Sequence, residues 1–329
     1  MRVILDCDPG IDDTIALIYL SALHHEGRIE IDAVTTTAGN IDADQGAVNA
    51  AWVLGQCALR TTPLAAGVTT PLKYELTTTP ETHGPTGLGY ITAPQRFVES
   101  DWDALWIDSI ERGTQDLHLI ITGPMTNLAT FKRLHPHHYA RLQHITVMGG
   151  AFNYPGNTTP SAEWNFWVDP HAAKEVFAAA PAPLTVCSLE VTEKMLLEPE
   201  RLEGIVDKLG AFPMAKKLPE IMRFYFEFHE EVGEGYRAQI HDLLACEIAL
   251  GTVLFDAPLT TIDIEADSEL MRGTSVIDTR GIWERENNAH VVTTADIDAA
   301  WAEFERACGV HARFTNGGLA AIRHARAED

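Results

Sequence analysis

The sequence predicts an α/β fold: a mostly parallel central sheet flanked by helices, Rossmann-like, with extra C-terminal helices and a small antiparallel element. Three observations predict it. Short β-branched runs alternate with longer amphipathic stretches. Polar or glycine-rich turns follow several of the strand-like runs. Of the 329 residues, 46% are hydrophobic, enough to cover both faces of a large sheet.

The predicted strands are Val3–Asp6, Ile31–Thr36, Leu117–Thr122, His144–Met148 and Leu184–Val186. Helical patterns lie between them. "DDTIALIYLSALHH" starts on Asp12 and Asp13, which suit the positive end of a helix dipole. "DADQGAVNAAWVLGQ" and "TNLATFKRLHP" read the same way. "DPHAAKEVFAAAP" opens with Asp169 as N-cap and Pro170 at the first helical position. Residues 190–255 read as helical, interrupted at Pro213 and Pro219. "PLTTIDIEADSE" and "MRGTSVIDTRG" alternate like paired antiparallel strands. "HVVTTADIDAAWAEFERACG" reads as a strand, a Thr294 cap and a closing helix. No repeat, low-complexity tract or linker divides the chain, which reads as one domain over 1–329.

The formal net charge of −23 repels nucleic-acid backbones and anionic membranes. The cysteines, Cys7, Cys57, Cys187, Cys246 and Cys308, are widely spaced and odd in number, so neither a disulfide framework nor a zinc knuckle is indicated. No apolar run reaches the length of a membrane span, and no signal-peptide pattern opens the chain. A soluble, cytoplasmic protein with reduced thiols is expected.

Ligands of parallel sheets bind beyond the carboxyl ends of the strands. That rule sets the Asp8 turn, "TTTAGN" (35–40), "TGPMTN" (122–127) and "MGG" (148–150) along one rim. The first of these is the most charged: Asp6, Asp8, Asp12 and Asp13 fall within "LDCDPGIDDTIAL". Pro9 and Gly10 turn the chain back, so Asp8 and at least one later aspartate face the same point. Converging carboxylates need a cation, and all-oxygen ligands select a hard ion, Ca²⁺ or Mg²⁺. A second stretch, "MGGAFNYPGNTTPSAEWNFWVDP", offers Asn153, Asn157, Glu163 and Asn165 beside Trp164, Phe166 and Trp167. Amides and a carboxylate next to aromatic surface suit a polyhydroxyl ligand such as a sugar. Downstream, "QIHDLLACEIAL" carries His241 and Asp242 at a helix start, significant only if they meet the N-terminal acids.

Taken together, "DCDPGIDD", "TTTAGN", "HGPTGLG", "TGPMTNLA", "MGGAF…GN…TPSAEWNFWVDPHAA" and "HDLLA" resemble the nucleoside hydrolases, the calcium-dependent inosine–uridine preferring N-ribohydrolases. The resemblance spans residue 3 to about 250. It implies the nucleoside hydrolase fold and Ca²⁺ held by Asp8, Asp13, Asp242 and the carbonyl of Thr122. It further implies that Asp12, Asn40, Asn157, Glu163 and Asn165 hold the ribose, that Met148 lines the sugar pocket, and that His83 and His241 flank the base. Asp8 would be the general base and His241 the group assisting the leaving base. Phe224, Tyr225, Phe228 and His229 are further base-side candidates. The expected partner is a small ribonucleoside, in salvage, with a homodimer or homotetramer as the assembly. Trp164 and Trp167 are bulky for this segment and are expected to reshape the pocket, and the region 210–235, running into "EEVGEGYR" (230–237), suggests a glycine-flanked lid. Two rival readings remain: an Asp-x-Asp Mg-dependent phosphohydrolase using Asp6 and Asp8, and a non-catalytic nucleoside binder.

Overall fold

The first strand, β1 (Arg2–Cys7), is buried along its whole length, which is why its centre, Val3–Leu5, is continuously apolar rather than alternating. In the computed structural model, which describes residues 1–96, 98 and 101–325 with side chains through Phe314, β1 lies inside a nine-stranded sheet. The other strands of its parallel part are β2 (Glu30–Thr36), β3 (Leu64–Ala66), β4 (Leu117–Ile121), β5 (His144–Met148), β6 (Leu184–Cys187) and Ala289–Val291. Their spatial order is β3, β2, β1, β4, β5, β6, Ala289–Val291. Leu259–Ile264 then pairs antiparallel with Ala289–Val291, and Ser275–Asp278 pairs antiparallel with Leu259–Ile264 at the edge. The alternating stretches thus form the expected antiparallel element.

Strand order reverses at β1. Helix α1 (Ile11–His25) carries the chain from β1 to β2 on one side, and the later return places β4 on the other. A crevice therefore opens between the ends of β1 and β4, where this sheet type binds its ligands. Asp8 follows β1 and Thr122 follows β4, with the Thr122 N–H bonded to the Asp6 carbonyl at 2.9 Å.

Helices cover both faces. On one, α1 packs with His241–Ala249 and the closing helix Ile297–Ala325, burying Ile15, Leu17, Leu244 and Phe304. On the other, Trp102–Glu111, Thr126–Leu134 and Pro170–Ala178 bury Trp106, Phe131 and Phe177. Each such side chain contributes roughly 1.5–3 kcal/mol of hydrophobic stabilisation.

Two local expectations are corrected. The closing helix is capped by Asp296, whose Oδ1 accepts the Ala299 N–H at 3.0 Å. Thr294 is instead taken into a short pairing with Asp256. Pro219 does not interrupt a helix; it sits in the first turn of Leu218–Glu231, where its missing N–H costs nothing. Asp169 caps as expected, accepting from Ala172 N–H.

Candidate active site

Asp8 leaves β1 on a turn closed by Pro9 and Gly10, and α1 starts at once. Asp13 accepts the Gly10 N–H at 3.0 Å and the Thr122 hydroxyl at 2.8 Å, joining the helix start to the end of β4. Asp8 Oδ2 accepts the Asn40 N–H at 2.7 Å, which ties in the turn after β2. Helix His241–Ala249 packs on α1 and brings Asp242 to the same point. One oxygen each of Asp12, Asp13 and Asp242 lies within 4.8 Å of the others. Acids from the two ends of the matched motifs therefore meet.

All four carboxyls are buried. Burial raises each of their pKa values, and repulsion from neighbouring carboxylates raises those of Asp8, Asp12 and Asp242 further; Asp12 is pushed up to about 7. The N-terminal ends of α1 and of His241–Ala249 point into the cluster, but each supplies only about half a positive charge. Asp8 Oδ1 and Asp12 Oδ1 are buried with no hydrogen-bond partner. Orphaned buried oxygens on converging carboxylates, without Cys or His ligands among them, fit a hard divalent cation. Thr122 fits as well: Asn165 Nδ2 donates to its carbonyl at 2.8 Å and leaves a second lone pair.

Asp6 does not belong to this group. Its Oδ1 accepts from Thr35 Oγ1 and Asn127 Nδ2, both at 2.7 Å. Asp6 and Asp8 therefore do not act as a pair, which removes the basis of the phosphohydrolase reading.

Above the carboxylates lies a cavity of about 570 Å³, a size suited to a small organic ligand. Asp12, Asn40, Thr122, Met148 and Asp242 line its floor. Asn157, Glu163, Trp164 and Asn165 form one wall, and His83, Tyr225, Phe228, His229 and His241 face it. Glu163 is the N-cap of Trp164–Val168. Its oxygens accept from the Asn165, Gly150 and Phe166 N–H groups, which fixes the strand-end turn at Gly150 to the wall. Asn157 Oδ1 accepts the Trp164 N–H at 3.0 Å, so its NH₂ remains free. His83 Nδ1 accepts the Ile11 N–H at 3.1 Å, which leaves the proton on Nε2. His241 Nδ1 sits 2.8 Å from Thr192 Oγ1. Burial lowers both imidazoles to about 3.

Residues 3–302 match the profile of the family described as "Inosine-uridine preferring nucleoside hydrolase". The chain belongs to this family. It is 37% identical over 298 residues to "Pyrimidine-specific ribonucleoside hydrolase RihA" of Shewanella sp. (strain ANA-3), covering 89% of this chain and 92% of the relative. It is 32% identical over 306 residues to "Inosine-uridine preferring nucleoside hydrolase" of Leishmania major, covering 91% and 95%. Its fold superposes on "Purine-Preferring Ribonucleoside Hydrolase from Gardnerella vaginalis" with a TM-score of 0.83 at 26% identity, covering 95% and 99%. This nucleoside hydrolase is thus an N-glycosidase of ribonucleosides. Among its described residues no helix is long and apolar enough to cross a membrane.

Some expected positions fall elsewhere in the nucleoside hydrolase. Trp164 lines the cavity, but Trp167 lies behind it, stacked on Trp164 and on the Arg272 guanidinium. Phe224 turns outward to Tyr90. Sequence reasoning also missed Thr79, Tyr154, Glu193, Glu234 and Gln239, which line the cavity. Glu193 was within reach, since it follows β6 on the same rim as the other turns.

Proposed function

We propose that this chain hydrolyses the bond between ribose and the nucleobase of a ribonucleoside in a Ca²⁺-dependent reaction. The observation that carries the reading is the buried convergence of Asp12, Asp13 and Asp242, with Asp8 buried close enough to repel them, beside a cavity lined by amides, aromatic rings and imidazoles. Asp8, Asp13, Asp242 and the Thr122 carbonyl would hold the ion. When bound, such an ion supplies Lewis acidity toward ribose hydroxyls and water.

Asp12, Asn40, Asn157, Glu163 and Asn165 orient the ribose, with Met148 against its face. Asp8 takes the proton of the attacking water. Its buried position excludes bulk solvent, so its charge acts at full strength on an oxocarbenium-like transition state. Asn165 holds the β4 and β5 ends together through the Thr122 and Met148 carbonyls, at 2.8 and 3.1 Å, and so fixes the floor. His241, neutral at this degree of burial, assists the departing base as a hydrogen-bond donor, and His83 contacts the base from the opposite side.

Uridine is named for one sequence relative and is a pyrimidine ribonucleoside, the class named for the other, and it is the substrate proposed here. The convergence of Asp12, Asp13 and Asp242 and the hydrolase names of the relatives support the catalytic reading over a non-catalytic binder. Release of reducing sugar from uridine and inosine, measured with added calcium and with chelator, tests the proposal. Calcium-dependent release supports it, and no release from any common ribonucleoside refutes it. A cytoplasmic homo-oligomer in nucleoside salvage completes the proposal.

A further inference from the structure

His229 and Glu234 stand on the base side of the cavity, away from the carboxylate cluster, and both line it. His229 is on the last turns of Leu218–Glu231. Its Nδ1 lies 2.8 Å from the Tyr225 carbonyl one helical turn back, a contact that only Nδ1–H can make. The ring is thereby held with Nε2 as its one remaining functional atom. Glu234 is set opposite by the turn Gly233–Glu234–Gly235. Both glycines adopt left-handed φ, +89° and +91°, and the Glu234 N–H bonds the His229 carbonyl at 2.8 Å. Glu234 Oε2 then lies 3.8 Å from His229 Nε2. That distance is too long for a hydrogen bond. The carboxylate favours the charged imidazole through space and leaves Nε2–H free for a ligand. Gln239 Nε2 donates to the same carboxylate at 3.0 Å and steadies it.

We infer that the His229–Glu234 pair is the proton source for the departing nucleobase. The inference rests on the hydrolase reading above. As the bond from C1′ to the base nitrogen breaks, its electron pair stays on the base. His229 Nε2–H passes its proton to a ring nitrogen or carbonyl of that base. His229 becomes neutral, still donating through Nδ1–H to Tyr225, and regains a proton from water. The water that attacks C1′ loses its own proton to Asp8, which returns it to solvent and so balances the one His229 takes up; the sum is nucleoside plus water to ribose plus base. Burial is the largest influence on His229 and lowers its pKa below the ordinary value, which makes the charged ring a readier proton donor; the Tyr225 carbonyl and Glu234 offset part of that shift, and Arg237 adds to it. His83 and His241 feel its charge from the other packed elements.

The test compares uridine with a nitrophenyl riboside, whose leaving group needs no proton, in wild type, His229→Gln and Glu234→Gln, across pH. His229→Gln is expected to lower kcat/KM for uridine by about 10²–10⁴-fold, the usual range for loss of a general acid, with the nitrophenyl riboside within about threefold. Glu234→Gln is expected to move the alkaline limb of the uridine profile to lower pH, because the imidazolium loses its partner. Equal losses on both substrates, or uridine turnover unchanged in His229→Gln, overturn the inference. If wild type hydrolyses neither substrate, the hydrolase reading itself fails. Wild-type turnover of both with an unaffected variant removes only the proton donor.

Discussion

Gly39→Ala probes the site from the backbone. A Cβ on Gly39 would sit 2.1 Å from Asp8 Oδ2, 2.9 Å from Asp8 Cγ and 2.7 Å from Pro124 Cδ. Gly39 is not in the left-handed region, so alanine costs it no backbone strain, and the effect is steric. Non-bonded heavy atoms settle near ~3.5 Å, so the Asp8 carboxylate must retreat by more than 1 Å, roughly 1.4 Å. It is anchored by Asn40 N–H on the very oxygen that clashes, so the retreat breaks that bond or rotates the carboxyl. Misplacing a reacting group by about 1 Å costs on the order of 10²-fold, or about 2.7 kcal/mol of barrier. We expect kcat/KM for uridine to fall at least that far and the calcium midpoint of activity to rise. Gly55→Ala, in α2 (Ala43–Gln56) with nothing within 4 Å of its Cβ, is the control and should be neutral or slightly stabilising. The assay is ribose release under calcium titration, with thermal unfolding to confirm folding. A Gly39→Ala enzyme within threefold of wild type, at an unchanged calcium midpoint, would refute the reasoning.

Three further outcomes are expected. Sites that hydrogen-bond a hydroxyl reject the analogue lacking it, so uridine should exceed 2′-deoxyuridine in kcat/KM by about 10⁴ or more; parity would break the assignment of Asp12 and its neighbours to the ribose. Calcium must displace protons from Asp8, Asp13 and Asp242, whose pKa values burial raises, and repel the proton of neighbouring Asp12, pushed up to about 7, so affinity should strengthen from pH 6 to 8 with proton uptake by the buffer; calorimetry in buffers of different ionisation enthalpy measures this. Glu247 is buried with both oxygens unpartnered, and burial plus Glu303 push its pKa well above 4.5. Its raised folded value favours the native state at low pH and loses that advantage above 4.5, at about 1.4 kcal/mol per pH unit until the folded value is reached. Glu247→Met should therefore stabilise more at pH 7 than at pH 5, read by thermal unfolding at both.

The five strands that β-branched runs announced all lie in the nine-stranded sheet, because burial on both faces leaves a continuous apolar signature. Strand β3, "LAA", was not legible: three small residues carry no β signal, and pairing with β2 makes them a strand. The Asp8 turn was legible because charge crowding at a strand end needs a compensating cause. The meeting of Asp242 with Asp12 and Asp13 was not, since nothing local states that His241–Ala249 packs on α1; only the ordered motifs of the resemblance suggested it. The aromatic helix Leu218–Glu231 shows the remaining limit. Tyr225, Phe226, Phe228 and His229 all fit a buried stripe, yet Phe226 serves the core while Tyr225, Phe228 and His229 face the cavity. Helical spacing separates faces without saying which one meets a neighbour and which meets a ligand. Glu163 looked like a sugar contact and also holds three backbone N–H groups, a role that depends on the fold of its own loop.

Calorimetric titration of calcium into metal-free protein, wild type beside Asp8→Asn and Asp242→Asn, goes most directly to whether distant acids share one cation. One ion per chain in wild type, with binding lost in both variants, is the predicted result. Wild-type affinity retained in Asp242→Asn would contradict it.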